Sequence, residues 1–230
     1  MVQHTARACG GDSSLEEAKP ISMMVAYFLA GFLIPFYLEA TLLVYGRPLI
    51  VATSTATLAA ILLSSLIVLV VHELAHYITA RLLGYRAKIT TLLRYGALQV
   101  EYLDPIPSRD MVLILLAPLL LVEAPILLWL RASSGLAALA LTVASVIHLS
   151  GATNDIVGAV YIALLRRSCV FTLDRAYGRV VGWIEECKAT SRRVRLGSPW
   201  RMIMLALLGL MLSVPLARLV NPSVRVIVVG

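Results

Sequence analysis

From about Leu49 to Leu83 the chain is predominantly apolar and contains neither glycine nor proline, a run longer than the roughly 20 residues a helix needs to cross a bilayer. A stretch of that length leaves little choice of fold, because inside hydrocarbon every backbone amide and carbonyl must be satisfied within the helix itself. It is not alone. Comparable stretches occupy about 21–45, 111–130, 133–165 and 200–220. Of the 230 residues, 60% are hydrophobic and only 14% charged, a balance that excludes an ordinary soluble domain. The expected fold is therefore an all-α membrane protein, a polytopic bundle of about five transmembrane helices. The second span exceeds one crossing and must tilt or protrude.

Turn signals separate the spans. Gly46-Arg47-Pro48 closes the first and Gly84 the second, while Pro35 and Pro118 lie inside the first and third. The fourth span is expected to be interrupted at Ser150-Gly-Ala-Thr-Asn-Asp155. Two polar stretches, 85–110 and 166–199, hold most of the basic residues, nine of them between Arg166 and Arg201. By the rule that short loops rich in Lys and Arg stay inside, both are cytoplasmic. The amino-terminal segment 1–20 is then a short cytoplasmic tail, and 221–230 a carboxyl-terminal tail outside. Residues 1–20 lack the basic-then-apolar order of a secretory signal. The expected location is a multi-pass integral membrane protein of the cell membrane. Mixed β-branched and aromatic residues in 88–102 and 170–184 predict small cytoplasmic β-hairpin-like loops, whose edges an extended peptide can join.

The net charge of +7 suggests nucleic acid in a soluble protein, but here it reports orientation and contact with anionic lipid, and no nucleic-acid partner is expected. Cys9, Cys169 and Cys187 match neither a disulfide framework nor a Cys-x-x-Cys metal site.

Chemistry enters with His72-Glu73-Leu74-Ala75-His76 in the second span. Two histidines four apart lie one turn apart on one helix face, so both imidazoles reach one tetrahedral metal. Glu73, beside the first, is placed to act as general base on a water that zinc, bound as Zn2+, acidifies. Three ionisable residues in one and a half turns are costly at membrane depth, roughly 2.5 to 3.5 kcal/mol each, which argues for use rather than accident. A catalytic zinc takes three protein ligands. Asp155 is the candidate for the third. His76 lies eight residues from the helix end near Gly84, about 12 Å, and Asp155 eleven residues from Arg166, about 16 Å, so two helices bring them to similar depth. Pro118 reaches that level as well and frees backbone groups beside it. His148, seven residues before Asp155, is the rival ligand or a partner behind the ligands. Asn154 is a candidate for orienting substrate. Glu39 and Glu123 are expected to pair with Arg47 and Arg131 near the outer surface, and Tyr95, Tyr102 and Trp183 to anchor at the interface.

HELAH on a membrane helix, followed some eighty residues later by an aspartate on another, resembles the site-2 protease group of intramembrane zinc proteases, and most closely its short zincin relatives. The resemblance spans about Ile61 to Gly178, including Leu116-Ala-Pro118 and the run from His148 to Asp155. It implies His72, His76 and Asp155 as zinc ligands, Glu73 as base, and a membrane-embedded or membrane-proximal protein or peptide as substrate. In that group an Asn-Pro pair precedes the aspartate and glycine follows it; here Asn154 is adjacent and Ile156 follows. Two other readings stand beside it. One is a membrane protease of the kind that processes prenylated peptides, with Glu185 or Glu186 as third ligand. The other is a non-catalytic zinc-binding scaffold or transporter, which has no need of Glu73.

Overall fold

The computed structural model of the chain describes residues 16–18, 20–45, 49–52, 54–92, 97–176, 179–188, 190–195, 197–220 and 226–229. Among them are five helical segments long and apolar enough to cross a membrane: Ile21–Leu42, Thr55–Leu82, Ser108–Ala132, Gly135–Leu165 and Trp200–Val220. Among their outward residues Leu62, Leu66, Leu128, Met211 and Leu219 are large, apolar and more than half exposed, the surface that lipid accepts and water disfavours.

Helix α1 (Ile21–Tyr45) packs along α6 (Pro199–Val220) and α5 (Gly135–Leu165), and α2 (Thr55–Leu82) packs on α5 and α3 (Ser108–Pro118). The α1 and α6 backbones touch. A Cβ on Gly31 would lie 1.8 Å from the Ala206 carbonyl oxygen, and one on Gly209 2.3 Å from that of Phe28, so only glycine permits this approach. On α2, Val68, His72, Ala75, His76 and Ala80 form the inward stripe at helical spacing.

Helix α2 starts later than the apolar run. Residues Leu49–Ala52 form strand β2, paired in parallel with β9 (Val226–Val229), and Ser54 caps the helix by accepting from the Thr57 amide at 3.2 Å. Its far end is closed at Gly84, whose φ of 91° favours glycine. The Gly84 amide bonds the Arg81 carbonyl and the Tyr85 amide that of Ala80, a Schellman pairing. The third span is not one regular helix. After α3 comes a π-helical turn, Leu119–Glu123, and then α4 (Ala124–Ala132). The fourth is uninterrupted, contrary to the expectation at 150–155. Thr153 satisfies its hydroxyl by donating back to the Leu149 carbonyl at 2.8 Å, leaving the ladder intact.

Both expected hairpins form. Strands β3 (Ala87–Leu92) and β4 (Ala97–Tyr102) pair antiparallel with Ala87 opposite Tyr102; the turn at Tyr95-Gly96 lies outside the described residues. Strands β6 (Val170–Ala176) and β7 (Arg179–Glu186) do likewise and continue into β8 (Ser191–Arg195). The sheet is completed by β5 (Ile106–Pro107) against β6 and by β1 (Glu16–Ala18), parallel to β8, so part of the amino-terminal tail is sheet. Pairing of Val170 with Glu186 brings the flanking Cys169 and Cys187 opposite each other, and they form a disulfide. The sequence spacing of 18 did not suggest this pair, since only the strand register makes them neighbours. These strands lie at one end of the bundle, which α2 and α5 leave and α3 and α6 enter.

Candidate metal centre

Helices α2 and α5 bring His72, His76 and Asp155 to one point. Asp155 Oδ2 lies 3.0 Å from His72 Nε2 and 3.4 Å from His76 Nε2. All three donor atoms fall within 4.8 Å of one another, and all three residues are buried, so the group can hold a metal ion. Two imidazole nitrogens and a carboxylate oxygen are the donor chemistry of a catalytic zinc site, where ligand atoms around a tetrahedral ion sit about 3.3 Å apart. The donors fit the ion.

What fixes the imidazoles is partly backbone. Proline 118 has no amide hydrogen, so the carbonyl of Ile114, four residues earlier, loses its helical partner. That carbonyl instead accepts a hydrogen bond from His76 Nδ1 at 2.8 Å, which leaves Nε2 with the lone pair directed at the site. The opening of backbone groups expected at Pro118 thus has a specific use.

Glu73 is half-buried on the same helix, and the backbone amide of Val100 on β4 reaches its carboxylate. Glu73, His72, Asp155, Asn154 and His148 all line a cavity of about 540 Å³, walled on the other side by α1 and α6. Tyr102, largely buried at the end of β4, has its phenol pushed up by burial and further by the negative charges of Asp155 and Glu73; it stays a proton donor.

His148 is not in the three-residue group. Its ring meets that of His72 edge-on, with centroids 5.1 Å apart. Its Nδ1 donates to Glu123 Oε2 at 2.8 Å, while Ser145 Oγ donates to Glu123 Oε1 at 2.5 Å. His148 Nε2 is buried and has no partner among the described residues; His148 lines the cavity wall. The pairing expected between Glu123 and Arg131 is therefore incorrect: Glu123 is 4% exposed and faces inward. The π-helical turn that ends at Glu123 shifts its angular position from the one a regular helix gives. The signal was present in Pro118 and in Ser145 and His148 three apart on one face. Arg47, the partner expected for Glu39, lies outside the described residues, as does Tyr95.

Glu185 is not brought to the histidines. Its Oε1 accepts from Trp183 Nε1 at 2.9 Å and its Oε2 from Arg166 Nε at 3.0 Å, and Glu186 is exposed. The alternative of either as third ligand is not supported. Tyr102 and Trp183, expected as interfacial anchors, both line one cavity.

Comparisons with curated proteins and with solved structures gave no match. Residues 65–170, the stretch that carries both HELAH and Asp155, match the family model described as "Putative zincin peptidase", and that likeness points to a zinc metallopeptidase.

Proposed function

We propose that the chain is an intramembrane zinc metalloprotease, cleaving a peptide bond in a membrane-embedded or membrane-proximal segment of its substrate. The observation that carries this reading is the convergence of His72, His76 and Asp155 on one point, with Glu73 in the wall of the cavity that His72 and Asp155 also line, among helices fit to span a membrane. His72, His76 and Asp155 hold the ion. Zinc, when bound, polarises the scissile carbonyl and acidifies water. Glu73 takes the proton from the attacking water and returns it to the leaving amine, so the enzyme ends the cycle as it began.

The basic loops support an orientation with the strand-bearing end at the cytoplasmic face and the amino terminus inside. There β4 pairs only with β3 among the described residues, and Leu98 on β4 lines the catalytic cavity. An extended substrate added to that edge lies alongside Glu73.

The test is metal content and proteolysis in detergent-solubilised protein. Wild type should hold about one zinc, His72→Ala and Asp155→Ala should lose it, and Glu73→Gln should keep it while cleavage falls by at least about 100-fold. Zinc binding with no effect of Glu73→Gln on any measured activity would favour the scaffold or transporter reading.

A further inference from the structure

A second cavity, of about 240 Å³, adjoins the catalytic one. Asn154 lines both, and it directly precedes Asp155. Strand β4 also borders both, through Leu98 on the catalytic side and Gln99 on this one. The walls are apolar, formed chiefly by Met111, Leu115, Ile162, Phe171 and Trp183. Among the described residues the only charged wall group is Glu185, and both of its oxygens are engaged, one by Trp183 and the other by Arg166 and Tyr161. A charged side chain entering here would lose water and meet no opposite charge left unengaged, which costs free energy on general grounds. An apolar one only gains.

Size narrows the choice. A cavity of about 150 Å³ already holds benzene, so this one accepts a phenylalanine ring or a leucine or methionine side chain, and alanine leaves most of it empty. We propose that this cavity is a specificity subsite that takes one large apolar side chain of the substrate peptide, beside the bond that is cut. The proposal rests on the protease reading for its substrate and on the cavity alone for its preference. Gly158 on α5 lines this cavity, and a Cβ added there meets only Leu115 Cδ1, at 3.5 Å, an ordinary contact, so a side chain starts from this position without a backbone clash.

The experiment uses the full chain in detergent, zinc-loaded and carrying Glu73→Gln to prevent cleavage. Trp129→Phe and Trp200→Phe leave Trp183, in the cavity wall, as the sole tryptophan of the three. Blocked alanine peptides with a central Ala, Leu or Phe are titrated and Trp183 fluorescence is read. The Leu and Phe peptides should bind at least about tenfold more tightly than the Ala peptide. Gly158→Leu should abolish that preference with zinc content unchanged, and Leu115→Phe, which fills the cavity from α3, should do the same if the first variant misfolds. Equal affinities, absence of binding, or a preference that survives both variants would overturn the subsite. The same peptides given to the chain with Glu73 intact separate the two ideas: preferential binding without cleavage keeps the subsite and removes the protease reading, while cleavage without preference does the reverse.

Discussion

Proline 118 does more at this centre than its place in an apolar run suggests. By withholding one amide hydrogen it frees the Ile114 carbonyl, and His76 takes that carbonyl as the anchor for its Nδ1. Pro118→Ala supplies the missing hydrogen and sets the helix in competition with the imidazole. Zinc affinity, measured by competition with a chelator, should weaken by about 10- to 100-fold, the usual effect of losing a partner behind a ligand. An unchanged affinity would show that Ile114 does not orient His76. At this scale HELAH and Asp155 were legible because spacing and depth are properties of a regular helix. Glu123 was not, because a π-helical turn shifts its facing and sequence periodicity assumes there is none.

Elements were legible where their ends carry chemistry. Gly84 closes α2 through its positive φ, and the β-branched and aromatic runs on either side of 93–96 and 177–178 became paired strands. The start of α2 was misjudged because Leu49–Ala52 is as apolar as the helix; only Ser54, a good cap, distinguishes the boundary. The continuity of α5 was missed for the opposite reason. Small and polar residues look like a break, yet Thr153 bonds back to Leu149 and Asp155 faces the site. Helix pairing was not legible at all, since Gly31 and Gly209 reveal their purpose only against the Ala206 and Phe28 carbonyls. Gly209→Val should push α6 off α1 and lower stability by about 1 to 3 kcal/mol, read as a fall in thermal midpoint in detergent. Because α1 and α6 wall the cavity beside the metal centre but supply none of the three ligand groups, zinc content at low temperature should survive the change.

For the whole molecule, orientation and covalent structure make opposing demands. The proposed orientation, drawn from the basic loops, puts the β5–β8 sheet inside, where thiols are kept reduced, yet Cys169 and Cys187 at the ends of its β6–β7 pair are joined. Neither cysteine is in the ligand group, so the bond bears on the sheet and not on the metal. Closing a loop of this length, 18 residues in separation, contributes about 3 kcal/mol by the chain-entropy account. The double variant Cys169→Ser, Cys187→Ser should therefore lose about that much stability in oxidised, purified protein and keep its zinc. In intact cells the outcome depends on which side the sheet faces. A single cysteine placed at Lys188 in a cysteine-free chain decides it. Labelling by an impermeant maleimide only after the cells are opened puts the sheet in the cytoplasm, where the pair is held as thiols and the serine variant accumulates to the wild-type level. Labelling of unopened cells inverts the whole topology, makes the disulfide a constitutive staple of the sheet, and moves the proposed cleavage to the outer face of the membrane.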